Sequence, residues 1–308
     1  MSQAVQSLAP IFIIGAPRSG TSVTNWAIGQ HPNIQVMPET AWIASFVTGA
    51  ISSFNKGSER GKFSHLSNVQ FPINNYLHHI AQSIDGIVHE AYEMRCQSLY
   101  GDYKVKGIRA NPKNAGYQVR RSPDDPKRRW IDATPLNTQF TFALAQVFPS
   151  ARFIHNLRNP GGVASSLERF DRVGAQSQAF SVGLETWIQH TKNAWLAEKA
   201  FGPDKVFRLE FERLGKEPET LLREVLHFLG EDWCEDCLEP LATKTNSSEI
   251  EGGDSGVIKR LLFSSNYRKA KKLYEELLRG DIVDEERHSA ELELERLFDA
   301  HLAQRPLL

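Results

Sequence analysis

The apolar run Ile11-Phe12-Ile13-Ile14 feeds directly into Gly15-Ala16-Pro17-Arg18-Ser19-Gly20-Thr21-Ser22, and a helical pattern then continues to Gln30. A strand, a glycine-bearing turn and a helix in that order aim backbone N–H groups and a helix N-terminus at one point, an arrangement suited to a phosphate-like anion. The spacing is that of G-x-x-x-x-G-K-[ST], with Thr21 standing where that pattern has lysine. The nearest cation is Arg18, inside the loop itself. The segment therefore implies an anion site that does not operate as the loop of an ATPase or GTPase does.

The rest of the chain repeats the alternation. Apolar runs at Tyr103–Ile108, Arg129–Asp132, Ala151–Leu157 and Lys205–Phe211 read as buried strands. Helical periodicity fills Thr21–Gln30, Asn74–Tyr100, Leu136–Phe148, Gly161–Phe170, Ser181–Phe201, Glu219–Leu229 and Asp284–Gln304. The expectation is a P-loop-NTPase-like three-layer α/β fold: a central parallel sheet of about five strands, flanked by helices, with all strand C-termini on one ligand-binding edge. Thr48–Pro72, rich in Ser, Gly, Asn and Lys, reads as a loop or lid. Arg109–Arg129 carries Arg109, Lys113, Arg120, Arg121, Lys127, Arg128 and Arg129; it reads as a solvated basic loop, or else as a rim attracting an anion. The C-terminal helix, acidic and amphipathic through Leu292, Leu294, Leu297, Phe298 and Leu302, is expected to pack across the body.

Composition removes several classes of function. A net charge of −1 provides no global field to recruit nucleic acid or a membrane surface. No apolar run approaches the ~20 residues that span a bilayer. Met1–Pro10 lacks the charged and apolar regions of a secretory signal. Three cysteines are too few for a disulfide framework, so a reducing cytoplasm is the simplest setting. Trp233-Cys234-Glu235-Asp236-Cys237 has the outline of a redox pair, but it follows a helix end, and acidic neighbours raise thiol pKa. It reads as two ordinary cysteines on a short helix. A zinc site would need two more ligands, with only Cys96 and scattered histidines left to supply them.

A second segment faces the same predicted edge. Ala151-Arg152-Phe153-Ile154-His155-Asn156-Leu157 is a strand that ends on Arg158, with Asn159 suited to an N-cap and Pro160 to the first helical position. The planar fork of Arg158 suits a phosphate dianion; pairing with a nearby carboxylate is the structural alternative. Gly161 and Gly162 read as a flexible turn, or as room for a ligand to approach the backbone.

Taken together, Pro17-Arg18-Ser19-Gly20-Thr21-Ser22 and Phe148-Pro149 … Arg152-Phe153-Ile154-His155 … Arg158-Asn159-Pro160 … Ser166 resemble the sulfotransferases that use 3′-phosphoadenosine-5′-phosphosulfate (PAPS). Trp130-Ile131-Asp132-Ala133-Thr134-Pro135 and Phe207-Arg208-Leu209-Glu210-Phe211-Glu212-Arg213-Leu214, followed by Pro218 and Phe228-Leu229-Gly230, add to the resemblance in consistent order. The likeness is to the bacterial, tyrosylprotein and carbohydrate branch more than to the cytosolic phenol and steroid enzymes.

The resemblance implies transfer of sulfonate from PAPS to an acceptor hydroxyl on a sugar, phenol, lipid, peptide tyrosine or secondary metabolite, with 3′,5′-ADP as product and no metal. It implies that Arg18, Ser19, Gly20, Thr21 and Ser22 hold the 5′ end of the nucleotide, with Arg18 also clamping the sulfonate. Arg158 and Ser166, eight residues apart, would hold the 3′ phosphate. It places a catalytic glutamate at Glu39, within Val36-Met37-Pro38-Glu39-Thr40-Ala41-Trp42; the bland reading is a Glu in the first turn of a helix begun by Pro38, where the helix dipole would lower its pKa. It implies one domain over 1–308, with acceptor-side insertions near 48–128 and a lid or helical extension near 240–308. The chain departs from the pattern where relatives carry a lysine before Thr-Pro; here it is Ala133, with Lys106 a possible substitute. Asp132 is a candidate to orient an acceptor or Arg18, and Lys259, with Ser247 and Ser248 upstream, to touch the 3′ phosphate. Val23 stands where cytosolic relatives stack an aromatic on adenine, and Trp26, one turn on, reads as core. Two other readings stay open: a P-loop kinase or NTPase with an altered loop, and a non-catalytic nucleotide-binding relative.

Overall fold

The computed structural model describes residues 8–100, 125–170, 176–242, 264–280 and 286–304. The strand expected at 103–108, Lys106, most of the basic segment, Ser247, Ser248 and Lys259 lie outside them.

In chain order the elements are β1 (Ile11–Gly15), α1 (Thr21–Ile28), β2 (Ile34–Val36), α2 (Trp42–Ser58), α3 (His65–Asn68), α4 (Ile73–Tyr100), β3 (Arg129–Asp132), α5 (Thr141–Val147), β4 (Arg152–Leu157), α6 (Pro160–Glu168), α7 (Phe180–Phe201), β5 (Val206–Glu210), α8 (Phe211–Lys216), α9 (Pro218–Leu229), α10 (Glu239–Ala242), α11 (Ser265–Arg279) and α12 (Arg287–Gln304). The strands form one parallel sheet in the order β2-β3-β1-β4-β5. This is the expected P-loop-NTPase-like α/β sheet. The loop after β1 therefore leaves the middle of the sheet, between the ends of β3 and β4.

All five residues of β1 are buried, which a central strand covered on both faces requires. Its side chains alternate between two cores. Phe12 and Ile14 join residues of α2, α4, α5 and α7 on one face; Ile11 and Ile13 join Ile28 of α1 and Leu221, Val225 and Leu229 of α9 on the other. Phe12 anchors the first core, with ring centroids 5.4 Å from Trp130 and 5.6 Å from Phe153. Burying a side chain of this kind contributes about 1.5–3 kcal/mol, so the register of β1 is strongly fixed.

Four sequence expectations are corrected. Thr48–Pro72 is not a loop: α2 runs through Ser58 and α3 follows, because Ile43, Ala44, Val47, Ala50 and Ile51 recur at helical spacing and are buried. Packing overrides the weak helix propensity of the intervening Ser, Gly and Asn. The helix expected over Leu136–Phe148 is a 3-10 turn at Pro135–Gln139 followed by α5, with Phe140 between them. In α12, Leu294 and Phe298 are buried, but Leu292 and Leu297 face solvent. From the basic segment, Lys127 is buried and donates to the carbonyls of His31 and Ile34, both at 2.9 Å. Arg129 donates to the carbonyls of Ala9 and Leu229 and pairs with Glu231 at 2.9 Å. Those two cations belong to the frame and form no solvated rim.

Candidate functional site

The loop between β1 and α1 is shaped by positive φ angles: 129° at Gly15, 68° at Arg18 and 94° at Gly20. A Cβ on Gly15 would stand 2.6 Å from the Asn156 carbonyl oxygen, and one on Gly20 would stand 2.1 Å from the Phe211 ring. Both positions exclude a side chain by space as well as by conformation. The Thr138 hydroxyl accepts from the Gly15 N–H (2.9 Å) and donates to the Gly15 carbonyl (3.0 Å). Asn156 Nδ2 donates to Thr24 Oγ1 at 2.8 Å and ties β4 to α1. No side chain caps α1, and Gly20 occupies its N-cap in left-handed conformation. The Ser19 hydroxyl is buried without a hydrogen-bond partner, although its backbone N–H turns back to Ala16 O at 3.1 Å. Thr21 is buried and Ser22 exposed.

Arg158 leaves the end of β4 and is 8% exposed. Its Nη1 donates to the Arg18 carbonyl at 2.9 Å, and its guanidinium lies 4.5 Å from the centre of the Phe211 ring. Phe211 is thus held between Gly20 and Arg158. Gly162 leaves room for the guanidinium, whose Nε would sit 3.4 Å from a Cβ there. Asn159 caps α6 as expected, accepting from the Gly161 N–H at 2.9 Å. Among the described residues no carboxylate lies within ion-pair reach of Arg158. Glu212 is the acid nearest in influence, and it is occupied by the Asn159 N–H and the Tyr274 hydroxyl. Burial foremost, and the neighbouring Arg18, push the Arg158 pKa down, against the pull of Glu212. A desolvated guanidinium without a paired carboxylate among the described residues has the chemistry to accept an anion.

Arg18 turns toward the same place. Its Nε donates to Ser166 Oγ at 2.9 Å, and its guanidinium stands 4.8 Å from the centre of the Phe170 ring. The two arginines and Ser166 therefore share one side of the loop.

Glu39 lies on the other side, past the end of β2. It is not in a helical first turn, since α2 begins only at Trp42. Its segment is pinned by Asp132, fully buried at the end of β3. The Asp132 carboxylate accepts from Thr40 Oγ1 (2.9 Å), Asn137 Nδ2 (2.9 Å), and both the hydroxyl (2.6 Å) and the N–H (3.1 Å) of Thr134. The Thr134 hydroxyl in turn accepts from the Thr40 N–H at 2.9 Å. Asn25 of α1 donates to the Met37 carbonyl at 3.1 Å, linking this segment to the helix of the loop. Asp132 thus orients the Glu39 segment, and its hydrogen bonds do not go to Arg18. Glu39 reaches solvent, yet partial burial raises its pKa above the usual carboxylate value, and the Asp132 charge adds to the rise. Trp42 and Phe46, both exposed, meet edge to face at 6.2 Å beside it.

The structure adds residues that the sequence did not mark. His190 of α7 is buried, and burial lowers its pKa. His155 Nδ1 meets Glu198 Oε1 at 2.5 Å inside the core, and Arg208 grips the same carboxylate. Phe211 and Thr138 carried no signal of their own. Trp26 packs in the core of the second face, as expected. Among the described residues no group of three or more His, Cys, Asp or Glu is arranged to hold a metal ion, and no helix is long and apolar enough to cross a membrane.

A parallel sheet with a glycine-shaped loop leaving its central strand, and two arginines beside that loop, defines an α/β protein of the P-loop-like class. Residues 10–235 match the model of the sulfotransferase family, and the chain belongs to that family. Solved structures similar to it include the sulfotransferase domain from the Synechococcus PCC 7002 olefin synthase (16% identity, 97% of each chain, TM-score 0.46). The sulfotransferase from Alicyclobacillus acidocaldarius is 19% identical over 90% of this chain and 98% of its own, with a TM-score of 0.46. Mouse sulfotransferase SULT7A1, complexed with PAP, is 16% identical over 94% of this chain and 88% of its own, with a TM-score of 0.43. An uncharacterized protein of Aquifex aeolicus (strain VF5) is 26% identical over 246 residues; the match takes in 77% of this chain but only 28% of that relative's length.

Proposed function

We propose that the chain transfers the sulfonate group of PAPS to an acceptor hydroxyl. The acceptor oxygen forms a bond to sulfur, the bond from sulfur to the 5′-phosphate oxygen breaks, and the products are a sulfate ester and 3′,5′-ADP. The observation that carries this reading is Arg158: buried, without a carboxylate in ion-pair reach among the described residues, and joined to the phosphate-type loop through the Arg18 carbonyl.

In this reading the backbone of residues 15–22 and the hydroxyls of Ser19, Thr21 and Ser22 hold the 5′ end of the nucleotide. Arg158 and Ser166 hold its 3′ phosphate. Arg18, within reach of Ser166, bridges the two ends and stabilises charge on the sulfonate as the bond to sulfur breaks. A sulfuryl group carries less charge than a phosphoryl group, so a loop without lysine meets the demand that kinases and NTPases meet with lysine and Mg²⁺. Glu39 removes the acceptor proton; its raised pKa suits a base working near neutral pH. Trp42 and Phe46 form an apolar wall on the acceptor side. The three thiols, none in a disulfide, suit a cytoplasmic setting.

The test is a pair of measurements. Thermal-shift titration should show 3′,5′-ADP stabilising the protein more strongly than ATP with Mg²⁺. Radiolabelled PAPS should deliver label to at least one member of a panel of sugar, phenol, lipid and tyrosine-peptide acceptors. Stronger stabilisation by ATP with Mg²⁺ would overturn the reading.

A further inference from the structure

We propose that Cys234 and Cys237 form a thiol–disulfide exchange site, in which Cys234 attacks a low-molecular-weight disulfide such as oxidised glutathione and Cys237 resolves the adduct. The two residues close one turn: the Cys237 N–H donates to the Cys234 carbonyl at 3.2 Å, and a 3-10 segment spans Glu235–Leu238. The turn also holds the two Cα atoms within roughly 7 Å, the separation a disulfide requires.

Their exposures differ as the two roles demand. Cys234 is partly open to solvent, while Cys237 is fully buried with Ala27 of α1 and Leu222 and Leu226 of α9. The neighbouring Cys237 thiol holds the Cys234 sulfur at a pKa of about 7, whereas Cys234 in turn, and then burial, raise Cys237. Asp236 does push Cys234 up, but its effect is smaller than that of the Cys237 thiol.

The exchange balances in two displacements. The Cys234 thiolate attacks one sulfur of the oxidant, forming a mixed disulfide and releasing one thiolate. Cys237, giving up its proton, then attacks the Cys234 sulfur and displaces the second. Two protein thiols lose two electrons and two protons, and the oxidant disulfide becomes two thiols. The third cysteine, Cys96, is buried in the core of the opposite face and serves as an internal control.

The experiment uses the folded full-length protein with oxidised glutathione, followed by alkylation and peptide mapping. The peptide containing Cys234 and Cys237 should lose two hydrogens and resist alkylation, while Cys96 reacts only after unfolding. Cys237→Ser should stop at a glutathione adduct on Cys234, and Cys234→Ser should remain unmodified. A wild-type peptide that keeps both thiols, or that retains glutathione, would overturn the proposal. Should Cys237→Ser fail to fold, iodoacetamide kinetics on Cys237→Ala decide: Cys234 should react about fivefold more slowly than in the wild type at pH 7, and an unchanged rate overturns the proposal. None of these readouts depends on PAPS or an acceptor.

Discussion

Arg18 Nε and Ser166 Oγ lie 2.9 Å apart although 148 residues separate them in the chain. Arg18 belongs to the loop after the central strand, and Ser166 to the helix that follows the neighbouring strand. Their contact, together with the Arg158 bond to the Arg18 carbonyl, brings together two sequence motifs that are each weak alone. In the proposed reading, a nucleotide that engages either motif meets the other.

Arg158→Ala should lower affinity for 3′,5′-ADP by about 30- to 150-fold, the ~2–3 kcal/mol of a lost charge-assisted contact. Calorimetric titration measures it. Unchanged affinity would remove Arg158 from the nucleotide site.

Glu39→Gln should leave nucleotide affinity intact and reduce turnover by roughly 10²- to 10⁴-fold, the usual range for loss of a general base. The pH profile of the wild type gives a second check. Because the Glu39 pKa is raised, the acid limb of kcat should fall above the ordinary carboxylate range. Turnover retained in the variant would reduce Glu39 to a surface carboxylate.

Asp132→Asn keeps the shape of the clamp and removes its charge. Two effects should follow. The acid limb of kcat moves to lower pH, because the like charge that helps raise Glu39 is gone. The folded state loses about 1–3 kcal/mol, since the amide cannot accept from every donor that now converges on the carboxylate. Chemical denaturation and a pH–rate profile separate the two, and an unmoved acid limb would leave Asp132 with a structural role alone.

Gly20→Ala should displace the Phe211 ring, which a Cβ would meet at 2.1 Å, and through it the Arg158 guanidinium stacked on the other side. Overpacking of this kind costs about 1–3 kcal/mol. Affinity for 3′,5′-ADP should fall along with the denaturation midpoint. A variant with wild-type values for both would show that the ring yields freely.

Acidification should destabilise the protein through His31 and His190, whose pKa values burial holds below 6.5. The sign follows from linkage. The unfolded chain binds these protons first, so stability present above pH 6.5 is lost as pH falls below it, by up to ~1.4 kcal/mol per pH unit for each histidine. His190→Gln should flatten the melting temperature between pH 7 and 5. An equally steep dependence in that variant would exclude His190 as a source.

Much of this molecule was legible in its residues. The continuous apolar run before Gly15, the glycines of the loop, the Asn159-Pro160 helix start and the eight-residue step from Arg158 to Ser166 are local patterns with local causes, and local causes survive in a one-dimensional string. The continuation of α2 through Ser58 was not legible, because the Ser, Gly and Asn there speak against a helix and only the burial of Ile43, Val47 and Ile51 speaks for it. The environment of Glu39 was equally hidden. Whether its pKa rises or falls depends on where α2 starts and on Asp132, 93 residues further along the chain, and neither is a property of the Pro-Glu-Thr tripeptide. Phe211 became part of the site only because β5 ends beside the loop, and Arg18 met Ser166 only because β1 and β4 are neighbours. Sequence by itself determined which chemical groups the chain owns and which elements carry them. Tertiary structure alone decided which groups share a cleft and how much water they keep, because distance and desolvation are set by contacts between segments far apart in the chain.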